Sequence, residues 1–270
     1  MAVSKNPSAA AAKPSGTSDS SGGGHGEPPV ASAWTRRRPR REQPALSREH
    51  IVAEAVQLLD AEGIEALSMR RLGTRLGAGA TSLYRHVTNR DELIELVVDE
   101  VYGEILVPDT DGPADTDGPA HWRESAVVCA DSVRAMILRH PWVASVFSQV
   151  GLSYLGPHVM RLNDRMLALF EAAGFDAEEA GQAIATVMAY VIGTGTSEAA
   201  WLTMVARSGE DEERWAARLQ PAIDEASADY PRLRQQPKPS GARSLAEIRD
   251  TNFRYGLDRV LDGLALRLAP

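Results

Sequence analysis

The stretch GAGATSLYRHV, Gly77 to Val87, concentrates side chains that can bind phosphate groups and nucleic-acid bases. Hydroxyl, phenol, guanidinium and imidazole groups can all donate hydrogen bonds to phosphate oxygens, and some of them also meet base edges in a groove. The chemistry indicated is recognition of a nucleic acid. The residues that carry it are Thr81, Ser82, Tyr84, Arg85 and His86.

Charge is unevenly distributed along the chain, whose 270 residues have a formal net charge of −8. Residues 36–90 contain eleven arginines and six acidic residues, so this part is basic at net +5. The acidic excess therefore lies in the rest of the chain. An acidic total argues against a nucleic-acid partner, but a basic front part before an acidic body indicates that the front part alone makes this contact.

A helix-turn-helix is the element that would position these polar groups. Ser47 is placed to cap a helix that runs to about Glu62, and Ser68 to cap a second one that ends at Gly77. A third, very short helix spans 79–86. In such a motif the last of these helices enters the major groove with its first residues at the base edges.

Helical periodicity continues through the rest of the sequence, and no strand pattern of any length interrupts it. The fold class is therefore all-α. We divide the chain into a disordered tail with a basic arm at 1–44, a helix-turn-helix domain at 45–106 and a helical body at 120–270. A fourth helix is expected at 90–106, ended by Pro108. The body helices are expected at 120–139, 141–149, 155–173, 176–206, 211–229 and 245–267, with loops at DTDGPADTDGPA and PRLRQQPKPSGA.

The segment LSMRRLGTRLGAGATSLYRHVTNRDELIELVVDEV, Leu67 to Val101, resembles the DNA-binding domain of the tetracycline-repressor (TetR) family of regulators. The resemblance departs from the family at Gly79, where a serine cap is common; glycine is also an acceptable N-cap. It implies groove contacts by Arg70, Thr81 and Ser82, phosphate contacts by Tyr84 and His86, a base or phosphate contact by Arg85, and a backbone clamp at Arg90.

Each of these residues also has a structural alternative. Tyr84 could be a half-buried packing aromatic, and His86 could satisfy a backbone carbonyl. Thr81 and Ser82 could serve only to start the helix. Their shared position inside one helix-turn-helix favours DNA contact.

A short basic run, TRRRPRRE, precedes the first helix. Beside a major-groove reader, such an arm can enter the adjacent minor groove, where arginine suits the negative potential. Non-specific attraction to phosphates is the alternative. The residues of the arm assigned to DNA are Arg37, Arg38 and Arg40.

Beyond residue 120 the resemblance extends to the ligand-binding C-terminal domain of the tetracycline-repressor subgroup. It implies a homodimer formed through two C-terminal helices, here the helix at 176–206 and the last one. A dimer is also expected because one short recognition helix reads few bases, and two-fold pairing demands a palindromic operator. The candidate effector-binding residues are Met136, Phe147, Asn163, Met166, Met188 and Tyr190. Most could equally be core residues, and Asn163 could face solvent.

Other classes of function find little support in the sequence. No Ser-His-Asp arrangement, phosphate loop or zinc helix is recognisable, so we expect no enzyme, no metal site and no cofactor. A single cysteine, Cys129, excludes an intrachain disulfide, and no apolar run is long enough for a membrane helix. We expect a cytoplasmic, ligand-responsive transcriptional repressor. It should bind double-stranded operator DNA and leave it when a small-molecule effector binds. The alternative is a DNA-binding regulator without a small-molecule ligand.

Overall fold

Helices supply the regular secondary structure of the computed structural model, which describes residues 46–108, 121–149, 156–235 and 243–268. No strand occurs within these ranges, and the all-α fold class is confirmed. The predicted tail and basic arm, and most of the two predicted loops, lie outside the described residues. The described residues belong to one compact unit, so the division between 106 and 120 stays a prediction.

The first, second and fourth helices begin at the side-chain caps that the sequence indicated. The third begins after Gly79, which has no side chain, and ends at Leu83 rather than at the predicted residue 86. The side chains of Ser47, Ser68 and Asn89 accept hydrogen bonds from the backbone amides three residues on, at 3.1, 3.2 and 2.8 Å. Each bond satisfies an amide that has no partner inside its own helix. The elements are α1 (Arg48–Glu62), a 3₁₀ turn (Ile64–Ala66), α2 (Met69–Arg75), α3 (Ala80–Leu83) and α4 (Arg90–Tyr102).

Helix α4 ends at Tyr102, not at residue 106 as the sequence indicated. Gly103 is its C-cap, and its backbone amide bonds back to the carbonyls of the last turn. The chain then runs on without helix, and the Leu106 amide donates to the Ser132 hydroxyl at 2.8 Å. In the sequence, Ile94, Val97, Val98, Val101 and Ile105 recur at helical spacing. Ile105 packs half-buried against the core, but it does so after the helix has ended.

The remaining helices agree with the predicted positions to within a few residues, with one addition. A short helix begins at Pro231, where a flexible loop was predicted; proline suits the first helical position because its missing amide has no helical partner there. The elements are α5 (His121–Arg139), α6 (Val143–Gln149), α7 (Pro157–Ala172), α8 (Ala177–Ser208), α9 (Glu212–Ala226), α10 (Pro231–Arg234) and α11 (Leu245–Ala265).

Helix α8 is the centre of the body and packs against α5, α7 and α11. Gly195 lets α5 approach closely, because a Cβ there would lie 3.2 Å from the Ile137 side chain. A second part of the core is aromatic: Trp122, Phe170 and Phe175 are buried with ring centroids 5.6–5.9 Å apart.

Candidate nucleic-acid interface

Close backbone packing between α2 and α3 fixes the short recognition helix. The Ala78 amide donates to the Gly73 carbonyl at 2.8 Å, and a Cβ on Gly73 would lie only 2.8 Å from the Ala78 oxygen. Leu83 and Val87 are buried behind the helix and anchor it to the core. A helix of four residues is thereby held firmly although it has few hydrogen bonds of its own.

The opposite side of this helix and of the turn after it faces solvent. Thr81, Tyr84 and Arg85 are exposed, and Ser82 and His86 are half-buried. The Tyr84 side chain is 52% exposed, which argues against its alternative as a packing aromatic. All five predicted residues therefore belong to one short segment, and three of them present polar groups outward.

Ion pairs inside the domain occupy half of its described arginines. Arg48 contacts Glu92, Arg71 contacts Glu62, and Arg75 contacts Glu54. These pairs tie α1 to α2 and to α4, so their positive charge is balanced within the domain.

The exposed arginines left without an acidic partner, within the described part of this domain, are Arg70 and Arg85. Both were predicted to contact DNA. Their positive charge is available to an anion outside the protein, whereas the charge of each paired arginine is neutralised by a neighbouring glutamate. The structure thus concentrates the usable positive charge at the recognition helix and at the start of α2.

Arg90, at the start of α4, makes hydrogen bonds inside the domain. Its Nε donates to the Leu67 carbonyl at 3.2 Å and its Nη2 to the Ile64 carbonyl at 3.3 Å. The guanidinium is half-buried and joins the start of α4 to the segment before α2. Holding these carbonyls is a role that the sequence analysis missed, and a contact of Arg90 with the DNA backbone stays a prediction.

Glu92 braces the turn that connects the recognition helix to α4. Its Oε2 accepts from the Thr88 amide at 2.5 Å, and its Oε1 accepts from Arg48 at 2.6 Å. Hydrogen bonds from Thr88 lower the pKa of the Glu92 carboxyl, with a further contribution from Arg48. The ionised carboxylate therefore holds the end of the turn against α1.

The predicted effector-binding residues do not share one environment. Met136 and Met166 are fully buried, Met188 is half-buried against the core, and Tyr190 donates its hydroxyl to the Phe253 carbonyl at 2.9 Å. Burial raises the pKa of the Tyr190 phenol, so it remains a donor.

Two further candidates need separate statements. The Asn163 side chain is exposed, and its amide donates to the Val159 carbonyl of the same helix at 3.0 Å. This placement favours the solvent-facing alternative for Asn163. The side chain of Phe147 lies outside the described residues, as do Arg37, Arg38 and Arg40 of the arm.

An ionic cluster inside the body escaped the sequence analysis. Arg134 of α5 makes two bonds to Glu198 of α8, at 2.7 and 2.8 Å, and Arg249 of α11 donates to the same carboxylate at 2.9 Å. The Glu212 carboxylate at the start of α9 accepts hydrogen bonds from both the Arg249 guanidinium and the Trp201 indole. These partners lie far apart in sequence, and no local spacing could have paired them.

Carboxylates of the first four helices also bond to the body at two places. Asp60 at the end of α1 accepts from the Trp142 indole at 2.8 Å and lies 2.7 Å from His140 Nδ1. At the second place, the Asp99 carboxylate of α4 accepts hydrogen bonds from the backbone amides of His158 and Val159 at the start of α7, and it also contacts the His158 ring. The first four helices are therefore joined to the body by directional polar contacts as well as by packing.

Within the described ranges, no group of three or more His, Cys, Asp or Glu side chains is arranged to hold a metal ion. In the same ranges no helix combines the length and apolar character of a membrane span.

Two family descriptions match the chain. "Bacterial regulatory proteins, tetR family" matches residues 51–97, and "Tetracyclin repressor-like, C-terminal domain" matches residues 113–268. An HTH-type transcriptional regulator of Saccharopolyspora erythraea is 36% identical over 193 residues, which cover 72% of this chain and 75% of that protein. The HTH-type transcriptional repressor DrrR1 of Streptomyces coeruleorubidus is 34% identical over 265 residues, covering 94% and 91%.

Solved structures agree with these matches. ActR of Streptomyces coelicolor, in complex with actinorhodin, is 30% identical with a TM-score of 0.64, and the match covers 83% of this chain and 99% of that one.

Proposed function

The chain belongs to the TetR family of bacterial transcriptional regulators, and we propose that it binds a palindromic operator as a homodimer and leaves it when a small molecule binds the helical body. The observation that carries the DNA-binding part is the recognition segment. Tyr84 and Arg85 are exposed there, and Arg70 is exposed at the start of α2. The two arginines have no acidic partner among the described residues. Phosphates and base edges are the partners that suit such groups.

The proposed homodimer follows from the size of the recognition helix. Four residues in α3 and the turn after them can read only a few bases, so one subunit gives little affinity. We assign the subunit contact to α8 and α11, as the family resemblance implies. Tyr255 on α11 is 66% exposed, and Met204 on α8 is 50% exposed, so both helices still offer apolar surface to a partner.

The proposed effector is a small, largely apolar molecule bound within residues 120–206. ActR forms a complex with actinorhodin, and DrrR1 is named a repressor; both similarities support a ligand-responsive repressor. Such a ligand can change DNA affinity only if it binds the DNA-fitting and non-fitting arrangements with different affinities. The cytoplasmic location and the absence of enzymatic activity stay predictions.

The proposal is tested by selecting genomic fragments that the purified protein retains, followed by gel shifts on the recovered operator. We expect a shift that weakens steeply with salt, because arginines release counterions from phosphate. Actinorhodin serves as the first effector probe, together with compounds suggested by genes beside the operator. A shift that no such compound reverses would support a regulator without a ligand. Absence of any retained fragment would contradict operator binding.

A further inference from the structure

Helix α7 has no N-terminal cap from its own segment. Its N-cap is Gly156, which has no side chain, and Pro157 follows. The next two amides, those of His158 and Val159, donate instead to Oδ1 of Asp99 at 2.9 and 3.1 Å. The carboxylate that completes this body helix therefore belongs to α4 of the DNA-binding domain.

Asp99 is placed at a cost to its own helix. It lies in the last turn of α4, where the helix dipole disfavours negative charge. At the start of α7 the same charge is favoured, since free amides and the positive end of the dipole point at it. Its second oxygen also lies 3.0 Å from His158 Nδ1. The Asp99 carboxylate thus makes its favourable contacts with α7 and none of them within α4.

The backbone on both sides is shaped for this contact. A Cβ on Gly156 would lie 2.1–2.6 Å from atoms of the Asp99 side chain, so only glycine leaves room for the carboxylate. A Cβ on Gly103 would lie 3.1 Å from the His158 ring. Gly156 therefore permits the contact between α4 and α7, and a side chain at Gly103 would crowd the His158 ring.

We propose that Asp99 is a positioning residue that couples the orientation of the DNA-binding helices to helix α7. Hydrogen bonds are short-ranged and directional, so this cap exists only while α4 keeps its place against α7. A shift of α7 must either carry α4 with it or break the cap. The inference rests on the proposed function, and it names the residue through which a change in the body reaches the operator.

The experiment measures hydrogen exchange at the His158 and Val159 amides, with and without the selected operator. In the wild type, operator binding holds α4 in one arrangement, so the cap opens less often and exchange slows several-fold. Glu95→Gln is the matched control, because it removes an exposed carboxylate one turn earlier in α4. It should behave as the wild type does. Asp99→Asn keeps an oxygen that can accept from both amides and should keep the operator effect.

The decisive variant exchanges the two residues, Asp99→Gly with Gly156→Asp. The exchange gives α7 a cap from its own segment and removes the hydrogen bonds between α4 and α7, while the amino-acid composition stays the same. The backbone at Gly156 (φ −65°, ψ 155°) suits aspartate at this N-cap position. Asp99→Gly alone should lower the melting temperature, and the exchange variant should recover part of that loss. Its His158 and Val159 amides should be protected equally with and without operator. If Asp99 only stabilised α7, any operator effect at these amides would arrive by another route and would persist in the exchange variant.

Two results would overturn the inference by itself: unchanged exchange at these amides on a bound operator, or an operator effect that persists in the exchange variant. Failure of the wild type to bind any genomic fragment is a different result, because it would overturn the proposed function and the inference with it.

Discussion

Replacing Arg85 with alanine should weaken operator binding strongly. Arg85 is exposed beside the recognition helix and has no acidic partner within the described residues. Loss of an arginine that reads a base costs about 1–3 kcal/mol. A homodimer holds two such arginines on separate half-sites, and distant losses add, so the total is about 2–6 kcal/mol. Affinity should then fall by a factor between roughly thirty and twenty thousand.

Arg75→Ala is the matched control for this prediction. It removes the same charge from the same domain, but Nε of Arg75 is bonded to Glu54 at 2.6 Å. The pair is partly exposed, so its loss should cost at most about 1 kcal/mol of folding stability and change operator affinity little. A clear difference between the two variants would separate available charge from charge that is already paired.

The assay is fluorescence anisotropy on the operator and on a random duplex, each over a salt series. If Arg85 reads a base, the loss is larger on the operator, and preference relaxes at one position. If Arg85 holds a phosphate, both duplexes lose equally and the salt slope decreases by about one per contact. Wild-type affinity in Arg85→Ala, or equal losses in both variants, would refute the assignment of free charge to the interface.

Three further predictions concern single side chains. Tyr84→Phe should weaken binding about equally on all duplexes, because the hydroxyl is assigned to a phosphate; a loss confined to the operator would contradict this. Val101→Trp should disturb operator binding in a gel shift while leaving the recognition residues intact, because Val101 is fully buried where α4 meets the core; normal binding and normal release by a folded variant would show that the signal takes another route. Cys129 should resist alkylation in the native protein, because burial raises the pKa of its thiol to about 12; rapid stoichiometric labelling without denaturant would contradict this. Because its pKa is raised, the Cys129 thiol holds its proton more tightly in the folded state than in the unfolded state. The free energy of unfolding should therefore be unaffected by this group below the ordinary thiol pKa and should fall as the pH rises from there toward 12. Chemical denaturation across that range would measure the decrease.

Local signals predicted the start of the DNA-binding domain well. Ser47, Ser68 and Asn89 are N-caps because a short polar side chain before an apolar repeat satisfies the first free amides of a helix. The recognition segment could also be found, since its exposed polar residues and buried anchors alternate within one short stretch. Each of these features depends on residues that lie close together in the sequence.

Features that depend on distant partners could not be predicted in this way. The charge count over residues 36–90 could not tell Arg85, which has no acidic partner among the described residues, from Arg75, which is paired across 21 positions. Asp99 reads as an ordinary exposed acid on α4 until the fold brings α7 against it. The end of α4 was missed because Ile105 continues the apolar repeat after Gly103 has already stopped the helix.

Footprinting on the selected operator, with the mass of the complex measured by sedimentation, tests the central claim most directly. The claim is that two copies of the recognition segment read an inverted repeat. We expect two symmetric protected regions whose centres lie about 34–36 Å apart along the duplex, bound by two subunits. Protection of a single, asymmetric half-site by one subunit would contradict the account.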